Sequence, residues 1–518
     1  MDFKVKDQLT NEEVDRGLTN IIRENLAFQV MATLTGGVFL VAFANELHAS
    51  NFVIGLLAAV GPLAQLIQIP AIYLVERIQN RRLIVVSATL VARLMWLLIA
   101  LIPFLVPGKT GLFVLLGGMA LYSGFAAISN CSWSSWMRDL VPQDRMGAFF
   151  SRRMVLAAVL GMGLGLIAGF YIDQWKRLFP GAPLLGYSIM FFVGGLAGLL
   201  GVYLFTARIP EPRMVASGGK MTHLLAMPFR ERNFRNLIIF EGSWNFAVNL
   251  AAPFFTVYML QWLGFDLTSI VILSTISQIT NILVLRTWGR LVDRFSNKSV
   301  LSVSATIFIL CIFGWTFTTL PDRYFLTVPL LIVIHLATGM STAGVALASG
   351  NMGLKLAPRG QATAYLAARS LVNSLAASTA PIIGGSFADY FKGRQLSISL
   401  NWNSPLNSVS VETLDFQHWD FFFFFAFLVG LFALYRLRIV QESGDVTGGT
   451  VIHEFVVEVR HGLRSLSSIQ GVSQAVSQPL GHHRRSASRR KAASGLPGVP
   501  SRKLTLRRVR IGGPTGRG

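Results

Sequence analysis

The sequence is poor in charged residues and in cysteine. Only 14% of its 518 residues are Asp, Glu, Lys or Arg, whereas a soluble domain has about 25%. Its two cysteines, Cys131 and Cys311, both lie within apolar runs, so they predict neither a disulfide nor redox chemistry. The sequence also has no P-loop, no paired acids at the end of an apolar run, and no histidine cluster except His482-His483. We therefore expect no cofactor, no metal site and no enzyme.

Hydrophobic residues, in contrast, are abundant. They make up 52% of the chain, and the mean hydropathy is +0.53. Runs such as 83–106 and 189–206 are long enough to cross the ~30 Å hydrocarbon core of a bilayer, which takes roughly 20 residues. Residues 1–23 are polar and do not resemble a cleavable signal peptide. These features predict a polytopic membrane protein.

The chain contains an internal repeat. When it is set back by 216 positions, Pro358 falls on Pro142, Arg369 on Arg153, Gly385 on Gly169 and Asp389 on Asp173. A one-residue indel continues the register upstream, where Glu241 matches Glu24 and Asp293-Arg294 matches Glu76-Arg77. The repeat indicates two copies of one membrane unit of roughly 200 residues.

The apolar runs divide the chain into twelve predicted spans in two sets of six. We expect an all-α fold of two pseudo-symmetric six-helix bundles, with spans at about 26–47, 52–75, 83–106, 111–136, 148–172, 184–207, 236–263, 267–289, 299–320, 325–352, 361–388 and 419–438. The predicted segments are an N-terminal segment 1–25, bundles 26–207 and 236–440 joined by a linker 208–235, and a tail 441–518. The predicted outer loop 392–418 has no obvious fold.

Basic residues are distributed unevenly between the loops. One set of alternate loops carries 20 Lys and Arg and the other carries six. The positive-inside rule then places both termini and the linker in the cytoplasm, with the chain in the cytoplasmic (inner) membrane. Membrane topology explains the formal charge of +21, so we expect no nucleic-acid partner.

The two termini carry separate predictions. Thr10-Asn-Glu-Glu13 is typical of a helix start and predicts a short amphipathic helix on the inner surface. The tail 441–518 contains 13 of the 46 basic residues among Ser, Gly and Pro, which predicts disorder. It would either bind anionic lipid or have no function.

Short motifs resemble those of the major facilitator superfamily (MFS). Gly289-Arg-Leu-Val-Asp293-Arg294-Phe-Ser-Asn-Lys298 is similar to the family's G-x-L-x-D-R-x-G-R-K loop, with Glu76-Arg77 in a more degenerate first copy. Pro381-Ile-Ile-Gly384-Gly385 is similar to its G-P-x-x-G-G signature. The resemblance implies alternating access by two rocking bundles, in which these residues stabilise one state through charge-assisted bonds and close helix contacts.

Ionisable residues within the spans are functional candidates. Arg93 lies about 16 Å into span 3, at 1.5 Å per residue from Arg82. Arg93 would either take part in substrate binding or coupling, or form a structural ion pair or cap a backbone carbonyl group. The repeat predicts two equivalent ion pairs near the inner mouth, Glu24–Arg153 and Glu241–Arg369, with Arg286 at a similar depth; interfacial snorkelling is the alternative.

Polar residues along the spans suggest a substrate held by hydrogen bonds. In the MFS fold the cavity is lined mainly by spans 1, 4, 7 and 10, with contributions from spans 2, 5, 8 and 11. Each of these side chains could equally bond a neighbouring helix. The substrate and coupling candidates are Arg93, Gln29, Asn130, Trp133, Glu241, Asn245, Asn249, Gln278, Asn281, His335 and Asn373. The conformational candidates are Glu24, Arg153, Arg369, Arg286, Glu76, Arg77, Gly289, Asp293, Arg294, Pro381, Gly384 and Gly385.

The resulting expectation is a monomeric secondary transporter for a small organic solute, proton-coupled and favouring export. A lipid flippase on the same fold is the alternative, and a membrane-embedded lipid-modifying enzyme is a remote one. Fold alone does not decide among them.

Overall fold

Twelve helical spans make up most of the part of the chain that the structure describes. The computed structural model describes residues 5–7, 9–106, 108–143, 145–214, 227–319, 323–358, 362–403 and 408–466. Within these ranges eleven helices are long and apolar enough to cross a membrane. The helix Arg232–Val257, extended by a π-helical turn at Tyr258–Trp262, completes the set. All twelve predicted spans are therefore helical, and the all-α membrane fold is confirmed.

The helices have the following bounds. Span 1 is Asn11–Thr35 and Gly37–Glu46, span 2 is Asn51–Ala64, Gln65–Ile67 and Gln68–Ile78, and span 3 is Arg81–Ala100, followed by a short helix Ile102–Leu105. Spans 4, 5 and 6 are Lys109–Leu140, Met146–Leu178 and Pro183–Leu204, with short helices at Thr206–Arg208 and Met227–Arg230 before span 7. Spans 8 to 12 are Leu267–Arg294, Asn297–Trp315, Thr327–Leu356, Ala362–Phe391 and Trp419–Ile439.

Span 1 begins at the predicted helix start. The Glu13 backbone N donates to the Thr10 hydroxyl over 3.3 Å, and the Glu13 carboxylate accepts from the Thr10 backbone N over 3.1 Å, a capping box. The helix does not form a separate surface element as predicted, because residues 11–35 contain no proline to interrupt it. It first breaks at Gly36-Gly37, where Gly37 adopts a φ of +55°.

The two halves repeat one packing scheme. In the first half span 1 packs against spans 5 and 6, and span 3 packs against spans 4 and 6. In the second half span 7 packs against spans 11 and 12, and span 9 packs against spans 10 and 12. Each contact has its counterpart six spans later, so the internal repeat in the sequence is also a repeat in the structure.

The halves meet along spans 2 and 11 and along spans 5 and 8. We call the end of the bundle where span 1 begins and span 12 ends the inner end, and the opposite end the outer end. Near the outer end a Cβ on Gly55 would collide with the Pro381 carbonyl oxygen, and one on Gly385 would collide with the Asn51 carbonyl oxygen. Backbones of spans 2 and 11 therefore touch directly, as small residues allow.

The outer loop after span 11 forms a β-hairpin, which sequence analysis missed. Strand β1, Gln395–Asn403, pairs antiparallel with β2, Ser408–Gln417, with an irregularity after Ile398. The expectation of no fold was wrong because it rested on the many polar residues of this loop and overlooked their regular alternation with apolar residues. Leu, Ile, Leu and Trp alternate with polar residues from 396 to 402, which is typical of a strand.

Part of the predicted disordered tail is a helix. Gly448–Leu466 packs on the inner ends of spans 8 and 9. Its Phe455 ring stacks on Trp288 with 4.4 Å between ring centroids, and Glu454 and Glu458 pair with Arg294 and Arg290 at 2.7 and 2.9 Å. The prediction of disorder was wrong for 441–466 because it was made from the composition of the whole tail, which the basic residues after 466 dominate. Residues 467–518, with the predicted lipid-binding sequence, lie outside the described residues.

A buried carboxylate connects this tail to the bundle. Glu442, whose side chain is 1% exposed, accepts hydrogen bonds from Lys355 Nζ and Asn297 Nδ2 at 2.8 Å and from the Lys298 backbone N at 2.7 Å. Burial raises the pKa of Glu442, but these three bonds lower it by more, so the pKa is below its usual value.

We expect Glu442→Gln to lower the free energy of unfolding by about 1–3 kcal/mol at neutral pH, the usual value of hydrogen bonds to a charged group. Because the pKa of Glu442 is lower in the folded protein than in the unfolded chain, its carboxylate stabilises the fold at pH values above the unfolded pKa. This stabilisation is lost as the pH falls through the folded pKa. Thermal unfolding in detergent should show the largest difference from wild type at pH 7 and a smaller one below about pH 4. Glu12→Gln, at an 85% exposed side chain, is the control. A pH-independent difference would contradict this assignment.

Candidate functional site

The first cavity lies within the inner half of the N-terminal bundle. It has a volume of about 650 Å³ and is lined mainly by spans 1, 3, 4 and 5, a size suited to a small organic molecule. Aromatic rings form much of its wall: Phe28, Tyr122, Trp133 and Phe150. Glu24, Arg93 and Arg153 supply its charge, with Arg138 lining it as well.

Arg93 pairs with Glu24 in this cavity. The Arg93 guanidinium donates to the Glu24 carboxylate over 2.6 Å and also to the Gly198 carbonyl oxygen. Both side chains are buried, at 4% and 9% exposed. Gly198 on span 6 permits this approach, since a Cβ there would lie 3.2 Å from Arg93 Cδ. Of the two predicted roles for Arg93, the structure supports the ion pair.

The predicted Glu24–Arg153 pair is therefore not formed. Instead, Arg153 Nε donates to Asn25 Oδ1 over 2.8 Å, and the Asn25 amide donates back to the Arg153 carbonyl oxygen over 3.2 Å. The guanidinium carbon lies 5.9 Å from the Trp133 ring centroid. The prediction was wrong because it followed the repeat, and Arg93, which takes the carboxylate, falls outside the repeat.

The second predicted pair is present. Arg369 Nε donates to Glu241, whose carboxylate also accepts from the Ser349 hydroxyl over 2.7 Å and from the Asn373 amide over 3.1 Å. Glu241 is 1% exposed and the Arg369 side chain 15%. A Cβ on Gly353 would collide with the Arg369 guanidinium, so span 10 must carry a glycine there.

This pair borders a second cavity between the halves. The cavity has a volume of about 580 Å³, and its wall includes Gln65 on span 2, Asn245 on span 7, and Arg369 and Asn373 on span 11. Gln65 also lines the first cavity. The structure thus brings together four predicted candidates: Glu241, Arg369, Asn245 and Asn373.

The other polar candidates differ in position. Asn130 and Trp133 line the first cavity. Gln29 donates to Thr33, Asn249 to the Asn245 carbonyl oxygen, and Asn281 to Thr342, so these amides bond neighbouring groups. His335 is 8% exposed and bonds the Leu331 carbonyl oxygen, and Gln278 is exposed. Neither spans 8 nor 10 line the two cavities, contrary to expectation.

The conformational candidates also divide. Arg286 is exposed, and among the described residues no carboxylate lies within 4.0 Å of it, so its predicted place beside Glu241 is wrong. Arg294 pairs with Glu454 of the C-terminal helix, within its own half. Exposed Arg77, exposed Asp293 and half-buried Glu76 form no ion pair with the part of the chain that the structure describes. Gly289 has Leu347 as its nearest neighbour, at 4.0 Å from a Cβ, while Gly384 packs on Leu250 and Phe254.

Two aspartates, Asp173 and Asp389, bond the two halves to each other at the outer end, and we call these contacts the outer seal. Asp389 accepts from the backbone N of Asn51 and Phe52, at 3.1 and 2.9 Å, where span 2 begins. Its repeat equivalent Asp173 accepts from the backbone N of Leu267 and Thr268, at 3.0 and 2.7 Å, where span 8 begins. Each carboxylate on one half thus caps the positive end of a helix on the other.

Sequence reasoning aligned these aspartates but gave them no role. Their partners are backbone groups, which leave no side-chain signal in a sequence. Asn25 and Ser349 were missed for a different reason: each is an ordinary small polar residue, and only the fold places it beside an arginine. Within the described residues no cluster of three His, Cys, Asp or Glu could hold a metal ion.

Comparison with known proteins agrees with this architecture. The family model described as Major Facilitator Superfamily matches residues 245–480. No curated protein matches the sequence. Solved structures with similar folds include a mutant of the nucleoside transporter NupG (TM-score 0.60, 13% identity, covering 82% of this chain and 100% of that one).

Two further similar structures are described as inward-facing. A bacterial homologue of the iron transporter ferroportin has a TM-score of 0.56 at 11% identity, covering 83% of this chain and 99% of that one. A bacterial homologue of the human lysosomal transporter Spinster has a TM-score of 0.54 at 14% identity, covering 74% and 84%.

The chain is thus a multi-pass membrane protein with the fold of a transporter. The family match covers most of the second repeat, and the repeated helix packing extends the same architecture to the first. The family model matches residues 245–480 of the 518, and the chain resembles the Major Facilitator Superfamily in its fold.

Proposed function

We propose that the protein is a secondary active transporter that moves a small organic solute across the cytoplasmic membrane by alternating access. The outer seal is the observation that carries this proposal. Asp173 and Asp389 join the two halves at one end only, and the cavities lie toward the other end. Contacts that join two rigid bundles at one end can break while those at the other end form.

The structure corresponds, in this proposal, to the inward-open state. The loops at the inner end of the bundle carry most of the basic loop residues, which supports a cytoplasmic location for that end and for both termini. Two of the structures with similar folds are inward-facing, which is consistent with a closed outer seal.

We assign proton coupling to Glu241. Its carboxylate is buried at the edge of the cavity between the halves and is balanced by Arg369. Protonation of Glu241 would weaken its ion pair with Arg369 and change the contacts of span 7 with spans 10 and 11. Glu24 and Arg93 form the corresponding charge pair of the first half. The span 11 signature supports export as the direction.

A ligand screen tests the proposal. Purified protein in detergent is unfolded thermally with sugars, nucleosides, amino acids, organic acids and drugs at two pH values. A solute at 100 times its dissociation constant adds about 2.7 kcal/mol to the stability of the bound state. We expect a specific, pH-dependent shift, followed by flux of that solute in proteoliposomes. Stabilisation by lipids alone would overturn the proposal in favour of a flippase.

A further inference from the structure

The charge cluster at the N-terminal cavity holds one more arginine than its repeat equivalent in the second half. Glu24 and Arg153 are the repeat equivalents of Glu241 and Arg369, but the position equivalent to Arg93 falls on Ile309 or Leu310. Arg93 is therefore an addition to the symmetric pattern. Arg93 pairs with the Glu24 carboxylate, so the charge cluster of the N-terminal cavity contains two arginines and one acid. The equivalent cluster in the second half contains one arginine, Arg369, and one acid, Glu241.

Arg153 is the cation that this arrangement leaves without a carboxylate in direct contact. Its Nε donates to the neutral Asn25 amide oxygen. Among the residues that the structure describes, no carboxylate lies within 4.0 Å of its guanidinium, and its two Nη groups have no hydrogen-bond partner. A half-buried guanidinium with no carboxylate in direct contact is only partly stabilised, and a bound anion would add a direct partner.

The surroundings of Arg153 are those of a binding site. The residue lines the cavity of about 650 Å³, whose wall holds the rings of Phe28, Tyr122, Trp133 and Phe150. A guanidinium fork matches a carboxylate in a bidentate manner, which a single amide partner at Nε does not prevent. Arg138, which also lines the cavity and whose side chain is 74% exposed, adds positive potential that would attract an anion.

We propose that this cavity binds an organic anion with a planar apolar body, such as an aromatic carboxylate, with its carboxylate on Arg153 and its ring among the aromatic side chains. Arg93 would remain paired with Glu24 and hold Arg153 free for the solute. This inference rests on the proposed transport function and specifies the substrate class of the first cavity.

The test compares matched anionic and neutral probes on the full chain. Thermal unfolding in detergent is followed with benzoate, 3-phenylpropionate and indole-3-acetate, with their three amides, and with acetate and inorganic phosphate. The variants are Arg153→Gln, Arg153→Lys and, as a control at the neighbouring arginine, which is exposed and does not line the cavity, Arg152→Gln.

We expect the aromatic carboxylates to bind wild type at least tenfold more tightly than their amides, acetate or phosphate. Arg153→Gln should weaken carboxylate binding by about 10- to 100-fold, as expected for loss of a charged hydrogen-bond partner. Arg153→Lys should retain part of the affinity, and Arg152→Gln should change it by less than about threefold, since its charge is exposed and lies outside the cavity wall.

Equal binding of amides and carboxylates to wild type would overturn the inference, and so would carboxylate binding that Arg153→Gln leaves unchanged. The first comparison needs no variant, so it is decisive even where Arg153→Gln does not fold. Failure of every carboxylate to bind also overturns it. If neutral solutes are then bound and transported, the transport function stands and only the anion inference falls; if no solute is moved, both fall.

Discussion

Proteoliposomes containing Glu241→Gln are expected to lose proton-driven flux of the solute identified by the ligand screen. We expect a decrease of roughly 100-fold or more, the size of effect seen when a positioned proton-transfer group is removed. The physical reason is that Glu241 has three partners, from Arg369, Ser349 and Asn373, which all respond to its charge.

Loss of stability alone could also reduce flux, so a control must separate the effect of an unpaired Arg369 charge on stability from the loss of proton transfer. Glu241→Gln leaves Arg369 buried without a counter-charge, which typically destabilises by about 3–5 kcal/mol. The double variant Glu241→Gln/Arg369→Gln removes both charges and should recover most of the melting temperature. If Glu241 carries the proton, the double variant regains stability but not proton-driven flux.

A purely structural pair gives the opposite pattern, in which flux recovers together with stability in the double variant. That outcome, or a single Glu241→Gln variant with wild-type flux, would contradict the coupling assignment. Glu46→Gln, which breaks the ion pair with Lys176 near the outer end of span 1, provides a comparison for an ion pair away from the cavities.

The double variant Asp173→Asn/Asp389→Asn should shift the protein toward an outward-open state. Each Asn loses the negative charge and one of the two acceptors that cap a helix on the other half. Loss of a helix cap costs about 0.5–2 kcal/mol. Because the two caps act on the same closure, we expect the closed-to-open ratio at the outer end to fall about tenfold or more.

Spin labels at Leu178 and Phe325 measure this shift. Both residues are well exposed, at 72% and 86%, near the outer ends of the N-terminal and C-terminal halves. On a background without Cys131 and Cys311, the distance distribution should be narrow and short in wild type and should gain a longer component in the double variant.

The matched control is Asp266→Asn. Asp266 caps the same helix as Asp173 does, by accepting from the Ser269 backbone N over 3.0 Å, but it lies within the same half. It should cost similar stability without changing the outer distance. Equal distance distributions in wild type and in Asp173→Asn/Asp389→Asn would contradict a gating role for the two aspartates.

The sequence was sufficient to predict the fold because twelve apolar runs and a 216-residue repeat constrain it strongly. The same repeat predicted Glu241–Arg369 correctly, since both residues follow the symmetry. It failed for Glu24–Arg153, because Arg93 breaks the symmetry from span 3, and helical depth alone could not show which carboxylate it would reach.

The remaining differences come from contacts between segments. Packing of Phe455 on Trp288 and the ion pairs of Glu454 and Glu458 order a stretch that looks like a tail in isolation. The outer seal depends on backbone N–H groups at Asn51 and Leu267, which any residue other than proline could supply. Such contacts depend on how helices are arranged, which single-sequence patterns do not encode.

A reversible lock on the outer seal tests most directly whether solute moves by alternating access. A Cβ on residue 169 would lie 3.3 Å from Thr268 Cα, so Gly169→Cys/Thr268→Cys places two thiols within disulfide reach across the halves. In proteoliposomes free of the two native cysteines, the oxidised protein should show no flux of the selected solute. Reduction should restore the flux, and neither single variant should respond to oxidant. Undiminished flux through the fully oxidised protein would contradict alternating access through this seal.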